Sequence, residues 1–178
     1  RTFNISTAAA FVVASAGVPV VKHGNRAVSS KSGSADVLEA LGIQISLSPE
    51  QGVECLRQTG FCFLFAPQYH QALKHAAATR QEIKIRTIFN LLGPINNPAG
   101  ANRQVMGVYD ANWLHVLPQV LHNLGCEKAL IVASEEGLDE ISISAPTQVA
   151  ELNRGQFRRY TITPEDLGLK RAPLEEIG

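Results

Sequence analysis

Short apolar runs alternate with helical patterns through the middle of the chain, and this alternation restricts the fold more than any other feature. The strand-like runs are Phe61–Phe65, Val105–Tyr109 and Ala129–Ala133, and the helical stretches between them are Tyr69–Gln81 and Asn112–Leu124. Parallel strands that are covered on both faces are joined by helices in this way. We therefore predict an α/β fold, a three-layer α/β/α domain that spans residues 1–178 and has a largely parallel or mixed sheet.

The flanking segments predict further elements of the same fold. Asn4 or Ser6 can cap a helix that runs to Ala16, and its apolar stretch indicates a buried helix. The other predicted elements are a strand at Val18–Val21, a short strand at Ile43–Leu47, a helix opened by the capping box Ser48–Gln51, a turn at Gly93–Gly100, and a hairpin formed by Val149–Leu152 and Phe157–Ile162.

Charge and cysteine content exclude several partners and locations. The chain has 16 basic and 16 acidic residues, so it lacks the positive field that holds nucleic acids. No apolar run approaches the ~20 residues of a membrane span. Cys55, Cys62 and Cys126 have neither the spacing of a zinc site nor that of a redox motif, and we interpret them as reduced core residues of a cytoplasmic protein.

Two polar segments have the composition of a phosphate site. Asn4–Thr7 begins the first predicted helix, and Lys22–Ser34 is a long loop of glycine, serine and positive charge that follows a predicted strand. Backbone N–H groups in such segments, together with Lys22 and Arg26, can bind phosphate oxygens. The segments match neither a Walker loop nor a dinucleotide fingerprint. Composition alone leaves open a solvated basic loop.

A third polar segment, Glu135–Glu140, follows an apolar strand and contains four carboxylates. Carboxylate oxygens are ligands that Mg²⁺ commonly bridges to substrate phosphates. An acidic surface turn without a metal is the alternative. If the segment binds Mg²⁺, Asp139 and Glu140 should lie at the rim of the same pocket as Lys22–Ser34, because a bridging metal must reach both the phosphates and the carboxylates.

Together the polar segments resemble one enzyme family. The segments that carry the resemblance are FNIST from Phe3, KHGNRAVSSKSGSAD from Lys22, RTIFNLLGP from Arg86 and GLDEIS from Gly137, in this order. They are similar to those of anthranilate phosphoribosyltransferases, and the resemblance extends from Arg1 to about Gly168. It implies a fold of the nucleoside phosphorylase/phosphoribosyltransferase type. It also implies transfer of a phosphoribosyl group from 5-phosphoribosyl 1-diphosphate (PRPP) to anthranilate, with Mg²⁺, in tryptophan biosynthesis; the products would be N-(5-phosphoribosyl)anthranilate and diphosphate.

The resemblance assigns roles to individual residues. Those implied to bind PRPP are Thr2, Asn4, Ile5, Ser6, Thr7, Lys22, His23, Gly24, Asn25, Arg26, Ala27, Val28, Ser29, Ser30 and Ser34. Asn25, Arg80 and His23 are implied to meet anthranilate, and Ser6, Asp139 and Glu140 to bind the metal. His70 falls in a region that the family uses near the anthranilate channel. We assign no general base, because the neutral amine of anthranilate is already a nucleophile.

The family pattern is not complete in this sequence. A GTGGD loop is expected immediately before Thr2, and the family's small helical domain, through which its members commonly form homodimers, is expected before that loop. The family's last helices and strand are likewise expected after Gly178. We therefore expect a chain truncated at both ends, inactive by itself and of uncertain dimerisation. Two other functions stay open: a pyrimidine nucleoside phosphorylase-like transferase, and a non-catalytic homologue that binds a phosphosugar.

Overall fold

The computed structural model describes residues 4–27, 32–70, 82 and 89–176. The chain forms two compact units, Arg1–Gly100 and Ala101–Gly178. Both combine helices with strands, which confirms the predicted α/β class with parallel and mixed sheets. The assignment of residues 1–178 to one domain stays a prediction.

The first unit has a parallel pair of strands at its centre. Within the described residues its elements, in chain order, are helix α1 (Ile5–Ser15), strand β1 (Val20–Gly24), helices α2 (Ser34–Ala40) and α3 (Pro49–Thr59), strand β2 (Phe61–Phe65), and helices α4 (Ala66–Tyr69) and α5 (Phe89–Ile95). The register of the strands runs from Val20 opposite Phe61 to Gly24 opposite Phe65. Buried side chains of α2 and β2, such as Leu38 and Phe63, form the core of this unit.

The second unit is built on a mixed sheet. Its elements are β3 (Arg103–Gly107), a 3₁₀ helix (Ala111–His115), α6 (Leu117–Asn123), β4 (Lys128–Ser134), β5 (Thr147–Asn153), β6 (Gln156–Ile162) and two short 3₁₀ helices (Glu165–Leu167 and Leu174–Glu176). The strand order is β3-β4-β5-β6; β3 and β4 are parallel, and the remaining pairs are antiparallel. Ile131 and Ala150 are paired across β4 and β5, and both are fully buried.

Local sequence signals explain the elements that were predicted correctly. Ser48 caps α3, its Oγ accepting from the N–H of Gln51 while the Gln51 side chain accepts from the N–H of Ser48. Gly60 ends α3 in the left-handed region at φ 74°. In the β5–β6 hairpin, Arg154 and Gly155 both have positive φ, as a tight two-residue turn requires. The capped helix and the hairpin are thus confirmed.

Four strand and turn predictions need correction. The strand predicted at Val105–Tyr109 lies at Arg103–Gly107, where it pairs with β4. Strand β1 lies at Val20–Gly24 rather than Val18–Val21, because its hydrogen-bonding partner β2 extends the ladder to Gly24. Ile43–Leu47 is not a strand; Ile45 is buried by packing in the core rather than by pairing. The predicted turn at Gly93 is instead part of α5, which continues through Pro94, and the turn forms only at Asn97–Gly100.

The helix predicted at Tyr69–Gln81 lies, beyond His70, outside the described residues. Two other helix predictions need correction. The stretch Asn112–Leu124 is a 3₁₀ helix followed by α6, because Pro118 fits only the first turn of a new helix. Helix α1 is not buried on all sides. Phe11 packs against the core, whereas Val12 is 70% exposed.

The predicted core position of the cysteines is confirmed for two of the three. All three thiols are free, with Cys62 and Cys126 buried and Cys55 half-buried. Burial raises the pKa of the Cys62 and Cys126 thiols, which disfavours thiolate chemistry at either one. Within the described ranges, no helix has the length and apolar character needed to cross a membrane.

Candidate active site

The first turn of α1 is capped by Asn4 and contacts the ammonium group of Lys22. The Asn4 Oδ1 accepts from the backbone N–H of Thr7 at 2.9 Å and from its hydroxyl at 2.8 Å. The Lys22 Nζ, on β1, donates to the exposed Ser6 Oγ at 2.7 Å. The buried Thr7 side chain therefore supports the cap, and Ile5 and Ser6 are exposed at the helix start. A helix N-terminus with an adjacent ammonium is a suitable place for an anion.

His23, near the end of β1, contacts two other elements. Its Nδ1 lies 3.3 Å from the carbonyl oxygen of Gly93 in α5, and its Nε2 lies 3.1 Å from the Nε2 of His70, which follows α4. The Gly93 oxygen can only accept, so Nδ1 of His23 carries the proton, and Nε2 of the neutral ring accepts from His70. Burial lowers the pKa of His23 and the neighbouring His70 lowers it further, against an opposing contribution from the Gly93 carbonyl.

Gly24 lets the end of β1 approach the start of α2. A Cβ at this position would lie 3.0 Å from the Phe63 ring and 3.3 Å from Cβ of Ser34. Gly24 and Ser34, both predicted to bind PRPP, are therefore neighbours in the structure.

Carboxylates of α2 bind the segment that follows β1. Two guanidinium nitrogens of Arg26 donate to Glu39 at 2.6 and 2.7 Å, and one of them also lies 3.3 Å from Asp36. The hydrogen bonds from Arg26 to Glu39 are the main cause of its raised pKa. The Asn25 Oδ1 accepts from the N–H of Arg26, and the Asn25 carbonyl accepts from the N–H of Ala35. Asp36 and Glu39 were not among the predicted site residues, although acidic side chains in the helix after a basic loop are a signal that could have identified them.

The acidic turn of the second unit is tied down by serines. The Glu136 carboxylate accepts from the hydroxyls of Ser142 and Ser144, and these bonds lower its pKa. Glu136 is thereby engaged within the turn. The neighbouring Asp139 is exposed and Glu140 is half-buried.

Gly107, at the end of β3, fixes the position of the acidic turn. A Cβ there would overlap the carbonyl oxygen of Asp139, so only glycine allows this approach. The exposed carboxylate of Asp139 next to that of Glu140 suits Mg²⁺, which is often bound by one or two carboxylates together with substrate phosphates. Among the residues that the structure describes, there is no cluster of three or more His, Cys, Asp or Glu side chains that would hold a metal without the substrate.

The two units contain different parts of the predicted site. In the first unit Lys22 contacts Ser6, His23 contacts Gly93 and His70, and the segment Gly24–Ala27 lies beside the start of α2. The carboxylates Asp139 and Glu140 belong to the second unit. Thr2, Val28, Ser29, Ser30 and Arg80 lie outside the described residues. The roles of all these residues in binding stay predictions.

Comparison with known proteins identifies the class. The model of a glycosyl transferase family, a/b domain, matches residues 1–178, and the chain belongs to this family. Within it, the chain is similar to proteins named anthranilate phosphoribosyltransferase. It is 56% identical to that of Halorhodospira halophila over 176 residues, which are 99% of this chain and 52% of the relative. It is 59% identical to that of Brevibacillus brevis over 171 residues, 96% of this chain and 50% of the relative. The predicted resemblance is confirmed.

Solved structures give the same result. Anthranilate phosphoribosyltransferase from Thermus thermophilus matches with a TM-score of 0.88 and 48% identity over 97% of this chain and 51% of that one. The enzyme from Saccharomyces cerevisiae, solved in complex with PRPP and Mg, matches with a TM-score of 0.87 and 29% identity over 98% of this chain and 48% of that one. The predicted fold type is thus confirmed. The chain spans about half the length of the curated relatives it matches.

Proposed function

We propose that the protein containing this chain transfers the phosphoribosyl group of PRPP to anthranilate in tryptophan biosynthesis, in the cytoplasm and with Mg²⁺. The contact between Lys22 and Ser6 at the start of α1 is the observation that carries the proposal, because it combines an ammonium, a hydroxyl and a helix N-terminus at one exposed place. The similarity to anthranilate phosphoribosyltransferases selects this activity among those of the family.

The donor would be bound by backbone and hydroxyl groups of the first unit. Asn4–Thr7 offer the first turn of α1, and Lys22 adds the charge that offsets the negative charge gathering on the diphosphate leaving group. Arg26 is already held by Glu39 and Asp36, so we expect it to order the segment as much as to contact a phosphate. The relative from S. cerevisiae that was solved with PRPP and Mg supports this choice of donor.

The carboxylates of Asp139 and Glu140 in the second unit would hold one Mg²⁺. Ser6 in the first unit would be an oxygen ligand of the metal that accompanies the diphosphate. Bound there, Mg²⁺ would supply charge stabilisation of the diphosphate. The Lys22 ammonium that donates to Ser6 is a competing cation at this hydroxyl. Ser6 would be free to bind a metal only if Lys22 contacted the diphosphate instead of this hydroxyl.

The acceptor would be positioned rather than deprotonated. Arg80 would bind the anthranilate carboxylate bidentately, and Asn25 would orient the substrate by a side-chain hydrogen bond. With Nδ1–H bound to Gly93, a neutral His23 has no second N–H to donate, so we assign it to the wall of the acceptor site. Orientation of the amine towards the anomeric carbon is then the main contribution of these residues. A relative from S. cerevisiae solved with 4-fluoroanthranilate supports an aromatic acceptor of this kind.

The test uses the full-length protein with PRPP, anthranilate and Mg²⁺. Loss of anthranilate fluorescence, with N-(5-phosphoribosyl)anthranilate identified by mass spectrometry, is the expected result. Phosphorolysis of thymidine or uridine without anthranilate turnover would favour the nucleoside phosphorylase alternative. PRPP binding by calorimetry with no turnover would favour the non-catalytic one.

Variants of Lys22 test the donor site itself. Lys22→Met should raise the KM for PRPP about tenfold or more, since a charge-assisted contact to the diphosphate is lost. Lys170→Met is the matched control, because Lys170 is exposed in the second unit and has no predicted role. Equal KM values in the two variants would count against the donor site at α1.

A further inference from the structure

We propose that Asp36 is a positioning residue for the donor-binding segment, acting through Ala27 and Gly33, whose backbone N–H groups it joins. The proposal rests on the function proposed above and deepens it. Asp36 is not itself among the residues predicted to contact a substrate.

One carboxylate oxygen of Asp36 joins two separate segments of the chain. The Asp36 Oδ2 accepts from the N–H of Ala27 and from the N–H of Gly33, both at 2.9 Å. The bond to Gly33 is the ordinary bond from the third residue of a helix back to its cap. The bond to Ala27 is different, because it reaches nine residues back to the segment that follows β1. Helix capping does not require that second bond.

Gly33 shows independently that these two segments are packed together. A Cβ on Gly33 would overlap the backbone nitrogen of Ala27, and it would lie 2.6 Å from the carbonyl carbon of Arg26. The φ of Gly33 is −88°, which any residue can adopt, so close approach rather than backbone conformation requires glycine here. The hydrogen bond from Ala27 to Asp36 and the absence of a side chain at Gly33 thus both allow Arg26–Ala27 to contact Gly33, and we call this contact the junction.

The junction lies directly beside the residues predicted to bind PRPP. Asn25 accepts from the N–H of Ala35 through its carbonyl, and Arg26 contacts Asp36 through its guanidinium. Asp36 therefore holds the segment from Asn25 to Ala27 against the start of α2. The N–H groups of Ala27 and Gly33 are the largest causes of the lowered pKa of Asp36, which keeps this acceptor ionised at neutral pH. A segment that is already ordered loses less conformational freedom when a ligand binds.

The experiment compares Asp36→Ala and Asp36→Asn in the full-length protein. Asparagine keeps one oxygen that can accept from both N–H groups, whereas alanine keeps none. Asp166→Ala is the matched control, because the Asp166 Oδ2 likewise accepts from a backbone N–H, that of Thr163 at 2.8 Å, in the second unit. Gly33→Ala should also separate Ala27 from Asp36, because the added Cβ would overlap the backbone nitrogen of Ala27.

Two readouts are needed. In hydrogen exchange, Asp36→Ala and Gly33→Ala should speed exchange of the Ala27 amide by about tenfold or more, and Asp36→Asn by much less. In kinetics, the same two variants should raise the KM for PRPP about tenfold, while Asp36→Asn stays within about threefold and Asp166→Ala is unchanged.

The outcomes separate the inference from the proposed function. If the Ala27 amide exchanged at the same rate in Asp36→Ala as in the wild type, the hydrogen bond between Asp36 and Ala27 would not hold this segment. Faster exchange of the Ala27 amide with an unchanged KM for PRPP would overturn the positioning role of Asp36. A rise of the KM for PRPP in Asp36→Asn equal to that in Asp36→Ala would overturn it as well. If the wild-type protein did not turn over PRPP, the proposed function would be overturned. Hydrogen exchange of the Ala27 amide in wild type and variants would still show whether Asp36 holds this segment.

Discussion

The imidazoles of His23 and His70 meet edge to face, with ring centroids 4.9 Å apart and an angle of 76° between the rings. Their Nε2 atoms lie 3.1 Å apart, and the other nitrogen of His23 faces the Gly93 carbonyl. In this arrangement a neutral His23 donates Nδ1–H to Gly93 and accepts at Nε2 from His70. Burial, followed by the neighbouring His70, lowers the pKa of His23 and favours this neutral form.

The first prediction is that the protein loses stability in mild acid through His23. Its pKa is lowered in the folded state, while the unfolded value is about 6.5. Below about pH 6.5 the unfolded chain binds more protons at this residue, so the free energy of unfolding falls as the pH decreases. Urea unfolding at pH 7.5 and 5.0 should show a smaller loss in His23→Gln than in the wild type. Equal losses would contradict the prediction.

The second prediction concerns the cause of that pKa. His70→Gln removes the neighbouring imidazole, which lowers the pKa of His23, but leaves burial, the larger cause, in place. We expect the pKa of His23, followed by NMR of its ring protons, to rise in this variant and to stay below about 6.5. A fall of the pKa would show that His70 stabilises the protonated form instead.

The third prediction tests the junction between β3 and the acidic turn. Gly107→Ala should destabilise the protein by about 1–3 kcal/mol, because its Cβ would overlap the Asp139 carbonyl. Gly93→Ala is the control, since a Cβ at Gly93 would have no neighbour within 4 Å. The control should be neutral or slightly stabilising within α5. Urea unfolding of both variants measures the difference, and equal stabilities would show that the turn moves away without cost.

Local signals in the sequence predicted several elements of the fold, and long-range pairing decided the rest. The capping box at Ser48 and the Arg154–Gly155 turn act over three or four residues, so they can be recognised without knowledge of the neighbours. The end of β1 is set by β2, about forty residues away along the chain. The segment around Ile45 has the apolar pattern of a strand. Ile45 is nevertheless buried in the same core cluster as Leu38 without pairing to another strand.

The same distinction applies to the candidate site. The residue types of the FNIST and KHGN segments indicated the place, and the contact between Ser6 and Lys22 agrees with it. The binding of Arg26 by Glu39 could not be predicted, because it depends on how α2 packs beside β1. The engagement of Glu136 by Ser142 and Ser144 was equally hidden, since all four acidic residues of that turn look alike in the sequence.

The fourth prediction separates these carboxylates by their need for Mg²⁺. Asp139→Asn and Glu140→Gln should each raise the Mg²⁺ concentration for half-maximal activity of the full-length protein, because a charged ligand is lost. Glu135→Gln changes an exposed carboxylate of the same turn that has no predicted role, and it should have little effect. An equal shift in all three variants would indicate a general effect of net charge rather than ligation.

The last prediction concerns Arg80, whose role rests on the family resemblance. A guanidinium fits a carboxylate through two parallel hydrogen bonds, so Arg80→Ala should raise the KM for anthranilate about 10- to 100-fold. Lysine supplies the charge without the fork, and Arg80→Lys should be intermediate. In both variants the KM for PRPP should stay within about threefold of the wild type, because the donor is bound elsewhere.

Arg57→Ala is the control for that measurement. Arg57 is a 75% exposed helix arginine that pairs with Glu54 in α3, and its loss should change neither KM. Steady-state kinetics with each substrate varied in turn distinguishes the cases. If Arg80→Ala raises the two KM values equally, the arginine supports the fold of the site rather than the acceptor. If the variant behaves like Arg57→Ala, the anthranilate carboxylate must be bound by another residue.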